Sequence, residues 1–101
     1  MRRRQRQAHD ALCRDHVLTA ADRLDRLRNA VERSGLQARE EMERALDRLR
    51  GLSNRATARI EAAHLAADDT WPFARAEADQ AIEELVRGID ALEDRLKRAA
   101  A

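Results

Sequence analysis

The chain has no tyrosine, one tryptophan and one phenylalanine among 101 residues, too little aromatic surface for a conventional globular core. Its single cysteine, Cys13, excludes an internal disulfide. With one proline and three glycines, the sequence offers few obligatory helix stops and no glycine-rich loop to cradle a phosphate. No apolar run approaches the ~18 residues of a membrane span. The arginines at positions 2–4 resemble the start of a signal peptide, but His9, Asp10, Arg14 and Asp15 interrupt the apolar stretch that would have to follow. A cytoplasmic location is the expectation.

What the chain does have is charge, alanine and leucine. Charged residues make up 39 % of it, and 21 residues are alanine, the composition of long helices and coiled coils. The net charge of +1 hides a polarity: residues 1–50 carry 13 basic and 9 acidic groups, residues 51–101 carry 7 and 10. A chain charged this way can pair its own halves, or two chains can pair head to tail.

The apolar residues recur in steps of three and four, the signature of a helix that packs along another helix. The clearest series runs through Trp71, Ala74, Ala78, Ile82, Leu85, Ile89, Leu92, Leu96 and Ala99. A narrower stripe joins Cys13, Val17, Ala20, Leu24, Leu27 and Val31, and a third joins Ala38, Met42, Ala45, Leu49, Leu52, Ala56, Ile60, Ala63 and Ala67. On the outer faces Asp10 with Arg14, Asp22 with Arg26, and Arg28 with Glu32 lie one turn apart, each pair contributing a few tenths of a kcal/mol. Residues 1–7 form a basic leader that reads as a flexible N-terminus, ahead of a single helical domain over 8–101.

Two places decide the architecture. Pro72 lacks an amide hydrogen and disfavours helical dihedrals at Trp71, so a break is expected there, with Thr70 or Asp69 as the following N-cap. At Ser34-Gly35-Leu36 a left-handed Gly35 with Leu36 folded onto Val31 would end one helix, and Ser34 with Gln37 would form a capping box for the next. The apolar series nevertheless passes through Gly35 in phase, and one glycine costs a helix only ~1 kcal/mol. An all-α fold follows, in one of two forms. A break at Gly35 gives an antiparallel three-helix bundle over about 5–33, 36–69 and 71–99. Without it, a long hairpin of 5–69 plus 71–99 leaves half of its first helix unpaired, and a two-fold dimer would cover it.

The residues Trp71, Ala81-Ile82, Leu85 and Ile89, with Leu46, Leu49, Ala56, Ala58 and Ile60 upstream, give residues 42–101 a pattern that resembles small bacterial helical-hairpin coiled-coil proteins linked to stress responses. The resemblance implies a hairpin-like fold and assigns no chemistry. Pro72 and Ser34-Gly35 depart from its uninterrupted long helix.

Chemistry is sparse. His9, Cys13 and His16 lie within about 60° of one another around a helix at 100° per residue, and two of them could hold a metal as imidazole and thiolate ligands. The bland reading makes Cys13 a small seam residue flanked by histidines. In a three-helix arrangement, residue numbers summing to about 69 would face each other across the first turn, which brings His9 near Ile60, Glu61 and His64 and brings Glu77 to the same end. Glu61-Ala-Ala-His64 is half of the carboxylate di-iron signature of helical bundles, present once. The expectation is a non-enzymatic structural or interaction protein without a cofactor, associating with itself as a dimer or with a helical partner through the seam residues Val17, Leu24, Leu27, Val31, Met42, Leu49, Leu52, Ile60, Trp71, Ile82, Leu85, Ile89, Leu92 and Leu96. One alternative is a small metal-binding protein using His9, Cys13, Glu61 and His64. Another is peripheral contact with nucleic acid or membrane through Arg2, Arg3, Arg4 and Arg6, against which the interspersed acids argue.

Overall fold

Alanine, leucine, arginine and glutamate are strong helix formers, and long runs of them without proline yield three helices of nearly equal length. The computed structural model describes residues 2–100, and of residues 2, 36 and 100 the backbone only. Helix α1 spans Arg2–Glu32, α2 spans Leu36–Leu65 and α3 spans Trp71–Ala100. They form an up-down-up bundle with principal extents of 52 × 17 × 16 Å, so α1 and α3 run parallel and α2 opposes both. Among the described residues there is no strand, and no helix is long and apolar enough to cross a membrane.

The three-helix form is therefore the one observed, and the continuous helix over 5–69 is not. Its break differs in detail from the expected one. Gly35 is extended, at φ −65° and ψ 156°, and no described glycine has a positive φ. Instead of capping α2, Ser34 turns back on α1: its amide and its hydroxyl both donate to the Val31 carbonyl, at 3.0 and 2.6 Å. α2 starts without a side-chain cap, so the Ser34–Gln37 capping box does not form. The expected Leu36–Val31 contact lies outside the described side chains.

At the second turn α2 stops at Leu65, four residues short of the expected end, where Ala66 becomes extended. Trp71 is the first residue of α3 and is not pushed out of the helix. Pro72 then occupies the first turn, where the amide it lacks would have had no partner within the helix. The Thr70 carbonyl accepts from the amides of Phe73 and Ala74, both at 3.1 Å. At the other extreme residues 2–7 of the basic leader are part of α1, which is helical from Arg2; arginine is itself a good helix former.

The core is a single cluster of small and branched apolar residues in which Leu85, Ile89 and Val31 are the largest fully enclosed side chains. Ala20, Ala56 and Ala78 are buried, and their small side chains let the backbones approach closely. Among the described residues no polar or charged residue is fully buried. Interhelical ion pairs bridge the rims: Arg23 reaches both Asp90, at 2.5 Å, and Glu93 on α3, Arg14 and Arg59 take Glu61 and Glu77, and Arg95 takes Glu41. Within α1 the expected Asp10–Arg14 pair forms at 2.9 Å.

Candidate functional site

Side chains able to ligate a metal gather at the end of the bundle where α1 begins, α2 ends and α3 begins. The parallel run of α1 and α3 brings His9 beside Asp79, and the helical repeat places Cys13 one turn above His9. His9 Nε2 donates to Asp79 Oδ1 at 2.8 Å. Cys13 Sγ sits 3.4 Å from the same nitrogen and 3.9 Å from the same oxygen. One donor atom from each residue thus lies within 4.8 Å of the other two. Cys13 is buried and the His9 side chain is 9 % exposed, whereas Asp79 is 53 % exposed, so the cluster is open on one side.

The surroundings fix these groups. Trp71 meets His9 edge to face, with ring centroids 5.9 Å apart. The guanidinium groups of Arg6 and Arg75 lie 5.7 and 5.3 Å from the Trp71 ring centre, and Arg75 Nε is 3.9 Å from Asp79 Oδ2. One carboxylate oxygen of Asp79 thus has the Arg75 charge near it while the other faces His9 and Cys13. Burial pushes the Cys13 thiol up to about 11, helped by the charges of Asp79 and Asp10 and a hydrogen bond to Asp79, with Arg75 opposing.

Arg6 joins all three helices. It donates to the carbonyls of Ala63, His64 and Ala66 at 3.2, 3.3 and 2.6 Å, at the end of α2 where carbonyls run short of helical amide partners, and to Asp68 at 2.9 Å. A cation at a helix C-terminus also complements its dipole. Arg6 is consequently engaged within the fold, while Arg3 and Arg4 remain exposed; the side chain of Arg2 lies outside the described set. Asp10 has one oxygen on Arg14 and the other buried without a hydrogen-bond partner. His64 approaches that second oxygen at 3.7 Å, beyond hydrogen-bond range.

The expected register between α1 and α2 holds in part: His9 lines one cavity with Ile60 and His64, but the polar pairs are displaced. Arg14, not His9, meets Glu61; His64 faces Asp10; Glu77 pairs with Arg59; and His16 is exposed. The grouping of His9 and Cys13 with Glu61 and His64 is therefore not formed, because Glu61 and His64 lie on the α1–α2 rim while Cys13 looks toward α3. Asp79 takes their place. It is legible in hindsight as the neighbour of the seam residue Ala78, since a residue flanking one seam faces a residue flanking the next.

The arrangement differs from a nucleophilic relay. A cysteine–histidine–carboxylate relay puts thiol and carboxylate on opposite ring nitrogens and lowers the thiol pKa. Here Asp79 and Cys13 both approach Nε2, the thiol at 3.4 Å with Nδ1 at 3.8 Å, and burial raises the thiol pKa. Of the seam residues, Leu27, Val31, Met42, Leu49, Ile60, Ile82, Leu85, Ile89 and Leu92 are buried, and Val17, Leu24, Leu52, Trp71 and Leu96 are half-buried at the edges. Comparison of the chain with protein-family models, curated proteins and solved structures gave no match.

Proposed function

We propose that this chain is a non-enzymatic helical interaction protein that associates with another helical chain, a second copy being the first to test. The carrying observation is the placement of its larger apolar side chains. The seam is used up inside one chain, yet Phe73 and Leu65, flanking the α2–α3 turn, are 74 % and 73 % exposed, and Leu12 and Leu18 are exposed on α1. A chain with only one phenylalanine places it in water. Apolar residues rimmed by charge are what a helical partner would cover. The surface available for association is thus this exposed set, and the seam residues act by holding the bundle together.

Light scattering across a concentration series tests this reading. The wild type is expected to shift toward twice the chain mass, and a Leu65→Ser, Phe73→Ser double variant to stay at one chain with an unchanged melting temperature. A wild type that stays at one chain throughout removes the self-association reading. A double variant that still dimerises removes the assigned surface.

A further inference from the structure

We propose that His9, Cys13 and Asp79 form a binding site for one divalent transition-metal ion, with zinc the best match. Three features of the cluster converge on this. The first is donor chemistry: imidazole nitrogen, thiolate sulfur and carboxylate oxygen are the common ligands of zinc. A thiolate and a carboxylate together carry the two negative charges that neutralise a divalent ion, and no harder cation such as magnesium or calcium favours sulfur.

The second is distance. Around a tetrahedral zinc with bonds of about 2.0–2.3 Å, sulfur stands about 3.5 Å from each of the lighter ligands, and nitrogen and oxygen stand about 3.3 Å apart. The corresponding separations here are 3.4 and 3.9 Å for sulfur and 2.8 Å for the nitrogen–oxygen pair. About half an ångström of opening between His9 and Asp79 admits the ion, and Asp79, half in solvent on α3, has room to give it. The third is support: Trp71 packs edge to face against the His9 ring and fixes its plane, and the Arg75 guanidinium lies 3.9 Å from the other oxygen of Asp79, an ion-pair contact on the outer side of that ligand.

Binding is a proton exchange. The Cys13 S–H bond breaks and the proton leaves to solvent as sulfur bonds to the metal. His9 gives up its hydrogen bond to Asp79, binds through Nε2 and carries its proton on Nδ1. One position of the tetrahedron stays open on the exposed side for water.

Cobalt(II), added to the reduced full-length chain without oxygen, is the probe. One ion per chain should bind, with thiolate-to-cobalt charge-transfer absorption and quenching of Trp71, and zinc should displace it, following the affinity order of the two metals. Cys13→Ser should abolish the charge-transfer band. His9→Ala and Asp79→Asn should each weaken binding by roughly 100-fold or more, since loss of even an outer contact costs 10–100-fold. Glu61→Gln and His64→Ala should bind as the wild type does. Asp79 is half-exposed, so Asp79→Asn keeps the test decisive if Cys13→Ser misfolds. The proposal is overturned if the wild type shows no thiolate band, if one ion binds per two chains, or if Asp79→Asn binds cobalt like the wild type.

Discussion

Leu49 occupies the space that a side chain on Gly88 would need: a Cβ at position 88 would come 2.5 Å from Leu49 Cδ2. There the Leu49 side chain of α2 lies directly over the Gly88 backbone of α3, so a residue with a Cβ at position 88 requires that side chain to move. Gly51, also inside α2, has nothing within 4 Å of an added Cβ. The two glycines should therefore answer differently to the same substitution. Gly51→Ala is expected to stabilise the chain by about 1 kcal/mol through helix propensity alone. In Gly88→Ala that gain is set against overpacking of about 1–3 kcal/mol, because Leu49 is itself buried, and net destabilisation of about 1 kcal/mol is expected. Urea unfolding of the two variants decides it, and equal stabilisation would show that the Leu49 side chain can turn aside without loss.

Arg6→Ala should cost about 1–2 kcal/mol, the net worth of charge-assisted hydrogen bonds to carbonyls at a helix end. For a chain of this size that lowers the melting temperature by roughly 4–16 °C. Arg6→Lys should recover only part of the loss, because one ammonium cannot span three carbonyls and Asp68 as the planar guanidinium does. Arg4→Ala, on an exposed neighbour, is the control and should change nothing measurable.

With metal removed by a chelator, stability should fall as the pH rises from about 9 to about 11. The fold raises the Cys13 thiol from 9.0 to about 11, so the folded state holds the proton more tightly than the unfolded chain. The resulting stabilisation is fully present below pH 9 and is lost as pH climbs through 11, amounting at most to about 2–3 kcal/mol. The chain has no tyrosine and one lysine, so few other side chains titrate in that window. Denaturant midpoints of the wild type and Cys13→Ala, measured at pH 8 and pH 10.5, should converge at the higher pH.

Arg23 bridges Asp90 and Glu93 across α1 and α3, and its hydrogen bonds to Glu93 and Asp90 raise its pKa further. Arg23→Gln should nevertheless cost only up to about 1 kcal/mol, since such pairs stand partly in water. The difference from wild type should shrink in 1 M salt, where the screening length is about 3 Å. A cost that persists in high salt would mean that the arginine stem matters through packing.

Much of this fold can be read from the spacing of apolar residues. Pro72 marks the second turn, and Trp71 to Ala99 stands as the most regular helix. The register was harder to read, because an alanine-rich seam fits its neighbour nearly as well after a slip of one turn. The spacing accordingly sets Glu61 and His64 against His9, whereas their polar partners are Arg14 and Asp10. Leu46 and Ala81 lie outside the three-four series yet are buried, because each helix of a three-helix bundle faces two others and needs a wider stripe than a two-helix seam. Asp79 escaped for a related reason: in the sequence it is one of nine acids between Asp68 and Asp94, and only the parallel pairing of α1 with α3 singles it out.

That pairing also bears on the order of events in folding. The helical hairpin of α2 and α3 closes through a short turn and shares the most extensive interface, whereas contacts such as His9–Asp79 and Arg23–Glu93 span 70 residues. Distant contacts carry the larger loop-closure cost, so α1 is expected to dock last and detach first. A ligand held between His9, Cys13 and Asp79 would then act as a latch on that helix, lengthening the lifetime of the closed bundle while leaving the α2–α3 pair to form at its own pace.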